Sequence, residues 1–200
     1  MFGAGGGALI AKTLGEGKHE KAQRLFSMFV YVTAGCGVGI GILGMVLIRP
    51  VARLLGAEGI MLENCVIYGR IVLSALPLFM LQYEFQTFFI TAQKPRLGLA
   101  VTVVSGVTNM VLDYLFMAVF RWGLPGAALA TVFAQAVSVA LSLVLIRRRS
   151  LPFAFSRRDI RPKGTYLKKI LRLGIPIALQ DLLVNISFLV IIAIVNTLGL

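Results

Sequence analysis

Eight acidic residues, two cysteines and one histidine are all that this 200-residue chain offers to most kinds of protein chemistry. Cys36 lies in a long apolar run and Cys65 in a predicted external connector, so they form no disulfide framework and no metal-ligand spacing. His19 stands in "GEGKHEKAQR", a stretch of alternating charge, where a solvated loop side chain is expected rather than a ligand or a proton relay. "GAGGGA" at residues 3–8 has no strand before it and no βαβ unit around it, which excludes a dinucleotide site and fits close helix packing. No nucleotide-binding motif is present, so ATP hydrolysis is not expected of this chain. The apolar runs hold no paired-aspartate motif, Ser–His pair or zinc-ligand set, and the chain is therefore not read as an intramembrane enzyme. The opening "MFGAGGGALIA" lacks the basic start and the cleavage site of a signal peptide.

The deficit that matters most is of charge inside long apolar blocks. Hydrophobic residues make up 58% of the chain, and the mean hydropathy is +0.89. Leu25–Ile48 and Trp122–Ile146 contain no charged residue, whereas Ile71–Gln93, Leu97–Phe120 and Leu173–Leu200 contain one carboxylate each: Glu84, Asp113 and Asp181. About 20 apolar residues suffice for a helix to cross the hydrocarbon layer. Five such blocks predict an all-α polytopic membrane protein. Both ends of the sequence fall within apolar segments, and a fragment of a longer chain is expected, its partners including the missing remainder.

The net charge of +12 follows from where the basic residues lie. If successive spans alternate in direction, Lys12–Arg24, Lys94–Arg96 and Arg147–Arg172 share one side and hold sixteen of the twenty Lys and Arg residues. Arg49–Arg70 and Arg121 hold the other four. This bias places the first group in the cytoplasm and Cys65 outside. No aromatic stacking motif interleaves with the charges, so nucleic acid is not an expected partner. The segment "TYLKKILRLGIP" sets Tyr166, Leu167, Ile170 and Leu171 against Lys168, Lys169 and Arg172, a pattern suited to a basic linker held at the surface of anionic lipid.

Within the spans, Gly35/Gly39 and Gly37/Gly41 are four residues apart and suit close helix contact. Pro77 and Pro176 mark expected kinks. Two polar faces stand out. Thr102, Ser105, Asn109 and Asp113 are spaced three, four and four apart, and Thr131, Gln135, Ser138 and Ser142 four, three and four. The connector "RWGLPG" makes the two helices antiparallel neighbours, with Asp113 and Thr131 within about one turn of the same depth. Polar side chains between membrane helices often do no more than join them, which suffices for Ser105, Ser138 and Ser142. It suffices poorly for Asp113, because no Lys or Arg lies within the spans to balance a structural carboxylate. Oxygen ligands suit a hard cation or a proton, and intramembrane carboxylates commonly mark ion pathways.

The run "TNMVLDYLF…WGLPGAALAT" resembles the Asn-x-x-x-Asp helix and the following Gly-x-x-Gly-Ala-Ala-x-Ala-Thr helix of the multidrug and toxic compound extrusion (MATE) transporters. "GGGALIAKTLGEGKHEKA", "QTFFITAQKPRLG" and "LRLGIPIALQDLL" are similar to that family's second-helix end, fourth-helix end and seventh-helix entry. The resemblance implies part of a twelve-helix fold. Residues 1–146 would supply most of the amino-terminal bundle (the end of helix 2 and helices 3 to 6), residues 147–172 a cytoplasmic linker, and residues 173–200 the start of the second bundle. It implies cation coupling at Asn109, Asp113 and Thr131 with a carbonyl near Ala127, and Glu84, Asp181 and Gln135 as candidates for the substrate cavity. The coupling ion would be sodium or a proton, with no other cofactor. The implied function is antiport of organic cations across the plasma (cytoplasmic) membrane. The alternatives are flipping of lipid-linked oligosaccharide, which would call for a cationic cavity, and a passive membrane assembly subunit.

Overall fold

The computed structural model describes residues 2–148, 175–176, 179–188 and 191. The basic linker and most of the seventh-helix segment lie outside the described residues. The elements are helices throughout: α1 (Phe2–Gly15), α2 (His19–Leu54), α3 (Gly59–Ser74), α4 (Leu76–Thr91), α5 (Pro95–Asp113), a π-wound continuation Tyr114–Val119, and α6 (Gly123–Arg148). α2, α5 with its continuation, and α6 are each long and apolar enough to span a membrane, and α3 with α4 forms a fourth, bent span.

Two boundaries differ from the sequence reading. The expected connector Arg49–Arg70 is mostly helix: α2 runs on to Leu54 and α3 begins at Gly59. At 36 residues α2 is roughly 54 Å long, well beyond a hydrocarbon layer of about 30 Å. Its last turns and the first of α3 make a projecting hairpin, where Ala52, Ala57, Leu62 and Val66 bury one another. Gly56 and Gly59 take left-handed backbone there, at φ +86° and +54°, a conformation that favours glycine. Arg49 and Glu63 pair at 2.7 Å across the exposed flank, a contact that adds little in water. Cys65 is therefore a half-buried residue of α3, not a loop thiol. Charge counting located the ends of the hydrocarbon run, not those of the helix.

The kink expected at Pro77 is present, as a break in the fourth span. α3 and α4 are bent by 49° at Ala75. Pro77 is the cause: it has no N–H for the carbonyl of Leu73, four residues earlier. α2 receives the bend with glycine. A Cβ at Gly41 would stand 2.8 Å from Leu73 O, and one at Gly37 2.7 Å from Pro77 Cα. Gly35 and Gly39 have nothing within 4 Å, so of the two glycine pairs only Gly37/Gly41 packs.

α1 closes the other side in the same way. Cβ atoms at Gly3 and Gly7 would crowd Tyr83, Thr87 and Thr91 of α4, and one at Gly6 would meet the Phe29 ring. Beneath lies the core, in which Phe26, Phe29, Phe85, Phe88 and Phe89 are buried with Ile10, Leu25, Val101, Val139 and Ile146. Phe26 and Phe88 meet edge to face at 4.9 Å, a geometry aromatic pairs favour.

Two outcomes follow. Gly37→Ala should lower the melting temperature in detergent, by about 1–3 kcal/mol of overpacking, because the atom it strikes is backbone and cannot rotate away. Gly39→Ala should be neutral, and equal effects from the two would contradict this packing. For orientation, Glu58→Cys should react with a membrane-impermeant thiol reagent in intact cells, and Lys94→Cys only after lysis. The reverse pattern would invert the topology.

Candidate cation site

α5 and α6 are the most extensively paired helices of the bundle. Their register is set by one buried hydrogen bond, in which Ser105 Oγ donates to Ala134 O at 2.8 Å. The helices are antiparallel, so positions counted forward from Ser105 face positions counted back from Ala134. Four residues forward is Asn109 and three back is Thr131. Eight forward is Asp113 and seven back is Ala127. By helical rise Asp113 is thus level with Ala127, at about 11–12 Å from the Ser105 bond, and about one turn beyond Thr131.

The aspartate closes α5, and the six residues after it, Tyr114–Val119, are π-wound. Such wider turns are rare and cluster at functional positions. The end of this segment is fixed by aromatic stacking of Phe116 on Trp122 at 5.0 Å and of Phe120 on Trp122 at 5.3 Å. Gly126 lets α6 approach, since a Cβ there would stand 3.1 Å from the Cβ atoms of both Phe116 and Trp122. Nothing in "YLFMAV" signals the π winding, because by composition it is ordinary apolar helix.

The polar atoms divide into satisfied and unsatisfied sets. Thr131 Oγ1 donates to Ala127 O at 3.0 Å, which joins two of the expected ligand atoms; the hydroxyl keeps its lone pairs, while the carbonyl also accepts the helical N–H of Thr131. Asp113 Oδ1, Asn109 Nδ2, Gln135 Oε1 and Ser138 Oγ are buried and have no partner. A buried polar atom without a partner costs on the order of 1–3 kcal/mol. By the same register Gln135 and Ser138 lie about 13 and 18 Å from Asp113 along the pair, so it is Asp113 with Asn109, one turn away, that calls for a ligand, water or a proton. Charge compensation by protein is missing: every Lys and Arg among the described residues is exposed. Asp113 itself is half-buried, with a route to solvent or lipid.

The remaining expected residues fall elsewhere. Thr102 does not join the Asp113 face; its hydroxyl accepts from Gln86 Nε2 of α4 at 2.7 Å and donates to Gly98 O at 3.0 Å. Ser138 and Ser142 are buried among the α6 contacts. Asp181 is exposed on the helical stretch 179–188, where its backbone carbonyl accepts from Asn185 Nδ2 at 2.7 Å. Glu84 is 1% exposed, inside the bundle and away from any open wall. Sequence reasoning missed Thr33 of α2, which is 1% exposed and likewise unpartnered. Its signal was a hydroxyl in the otherwise apolar Leu25–Ile48 run.

Comparison with known proteins agrees with this architecture. The MatE family profile matches residues 1–115. The chain is 31% identical over 193 residues to the probable multidrug resistance protein YpnP of Bacillus subtilis, covering 96% of this chain and 42% of that protein. It is 26% identical over 205 residues to the probable multidrug resistance protein YoeA of the same organism, covering 99% and 44%. It therefore spans less than half the length of these curated relatives. An outward-facing structure of a multidrug resistance MATE family transporter superposes with a TM-score of 0.84 at 25% identity, covering 94% of this chain and 42% of that one. The inward-facing counterpart gives 0.82 at 25% identity, covering 88% and 40%. A bent bundle of membrane helices, a paired α5–α6 polar face and a family match over more than half its length place this chain in the MatE family.

Proposed function

We propose that this chain supplies the amino-terminal bundle, a cytoplasmic basic linker and the entry to the second bundle of a plasma-membrane secondary antiporter that exports organic cations. The observation that carries the proposal is the carboxyl of Asp113, with a buried oxygen lacking any partner, set beside Asn109 in a bundle whose described cations are all exposed. Sodium or a proton reaching Asp113 from outside offsets that charge. The oxygens of Thr131 and Asn109 and the carbonyl of Ala127 are the neutral donors nearest its level on this helix pair, and Gln135 lies about 13 Å along it, as a candidate for the substrate cavity.

Coupling needs two states that differ in their affinity for the ion. Similar superposition on inward- and outward-facing relatives supports a bundle that moves largely as one body, rocking against its partner bundle as repeat-built transporters do. The names of the curated relatives, multidrug resistance and export proteins, support a broad range of substrates. One-for-one exchange with a monovalent organic cation is electroneutral, so the membrane potential cancels and the concentration gradient of the coupling ion does the work. An ion gradient of some tens-fold, about 2 kcal/mol at 1.4 kcal/mol per factor of ten, sustains at most an equal substrate gradient.

In the complete transporter, Asp113→Asn should express normally while gradient-driven efflux of a fluorescent organic cation collapses, its accumulation ratio falling from tens toward one. Asn109→Ala and Thr131→Ala each remove one neutral group and should weaken coupling less. Ser105→Ala breaks only the bond to Ala134, and should cost about 0.6 kcal/mol of stability and leave coupling intact. A well-expressed Asp113→Asn protein with normal efflux would refute the assignment.

A further inference from the structure

Glu84 is a second buried carboxyl, and it belongs to a different pair of helices. It sits midway along α4, about 10 Å from the Thr91 end, with 1% of its surface exposed. Both of its carboxyl oxygens are buried without a hydrogen-bond partner. The Thr33 hydroxyl of α2 is close enough to act on the carboxyl but short of a formed hydrogen bond, so Thr33 Oγ1 is also unpartnered. Around them are the rings of the aromatic core, with Phe85 next in sequence and Phe88 one turn on.

No helix packed against α4 brings a buried cation here. α1 carries Lys12, which is exposed, and the terminal ammonium of the chain, whose charge acts on Glu84 less than burial and Thr33 do. Between Arg24 and Arg49, both exposed, α2 carries only Tyr31, half exposed, and Cys36. α3 contributes Glu63, already paired with Arg49, together with Cys65, Tyr68 and an exposed Arg70. α5 brings Arg96 and α6 brings Arg147 and Arg148, all three exposed. α4 itself adds only Tyr83, 56% exposed.

This site is separate from Asp113. The Gln86–Thr102 hydrogen bond registers α4 against antiparallel α5. Glu84 lies two residues beyond that bond and Asp113 eleven residues beyond it in the same direction. The two carboxyls are therefore about 13 Å apart along the bundle, with Glu84 toward the basic side.

We propose that Glu84, with the Thr33 hydroxyl facing it, is a second proton-binding site of this chain, in the α2–α4 interface. The ligand is a proton because the site is too poor for a metal ion. It offers two carboxyl oxygens and one hydroxyl among phenyl rings, where hard metal cations gather about six oxygens or more. An isolated charge enclosed in this way is several kcal/mol unfavourable, and one proton removes it while giving the carboxyl a donor for Thr33 Oγ1. Thr87 and Thr91 follow at three and seven residues along α4, the same face. Their hydroxyls donate to Tyr83 O and Thr87 O and make no bond to Glu84.

The test is infrared difference spectroscopy of the purified protein in lipid, read at the C=O stretch of a protonated carboxylic acid while pH is cycled. A band that forms and vanishes reversibly with pH is expected, absent in Glu84→Gln, shifted in Thr33→Val and retained in Asp113→Asn. Should Glu84→Gln fail to fold, the Thr33→Val shift and the Asp113→Asn control still decide the matter. A band that never responds to pH would show a fixed structural acid and overturn the proposal. So would the lack of any band, or one lost with Asp113 and untouched by Thr33→Val. Because Asp113 is assayed separately, the Glu84 site can fail while the coupling role of Asp113 stands.

Discussion

Removing an isolated carboxylate from water costs several kcal/mol even after the protein relaxes, and this bundle does so while keeping its described lysines and arginines exposed. That separation of charge governs the rest. Basic residues settle at the ends of helices and set topology, and acids are left inside without partners. Asp113 Oδ1 and both oxygens of Glu84 are the buried carboxyl atoms that result. A structural ion pair would have quenched either one. Leaving them open suits the cation and proton binding proposed for them.

A site of this kind works only if its walls hold still while the bundle moves. The walls are held by close contact. Gly37 and Gly41 let α2 seat the Pro77 bend of α4, and Gly3 and Gly7 let α1 lie on Tyr83, Thr87 and Thr91. Neither contact leaves room for one added methyl group. Between them the phenyl rings of α2 and α4 are the largest fully buried side chains among the described residues. Across the bundle, the Ser105–Ala134 bond fixes the register that brings Asp113 level with Ala127. Glycine contact, aromatic packing and one buried hydrogen bond thus position the polar atoms without neutralising them.

Much of this was legible in the sequence. The apolar blocks located the spans, and the spacing of Asn109 and Asp113 put them on one helix face. What escaped depended on contact between distant segments. Nothing local distinguishes Gly37/Gly41, which pack, from Gly35/Gly39, which do not. Thr102 shares the spacing of the Asp113 face yet bonds to Gln86 on α4, because a helix with neighbours on two sides divides its polar residues between them. The charges at Arg49 and Arg53 marked where the hydrocarbon run ends, but α2 continues past them in water, where charge does not oppose helix formation. Glu84 was visible as a carboxylate in an apolar run; its enclosure by Thr33 and phenylalanine was not.

The central claim is that the Asp113 charge is balanced by an exchangeable cation and not by the protein. A hydrophobic carbodiimide reacts with protonated carboxyl groups in apolar surroundings, and mass spectrometry locates the adduct. In the complete transporter the adduct at Asp113 should respond in a graded, saturable way to the driving cation: sodium suppresses it, or protons promote it as pH falls, with the reagent's own reactivity controlled. Labelling of Asp113 that is the same under every cation condition, or that responds only to agents unfolding the bundle, would contradict it.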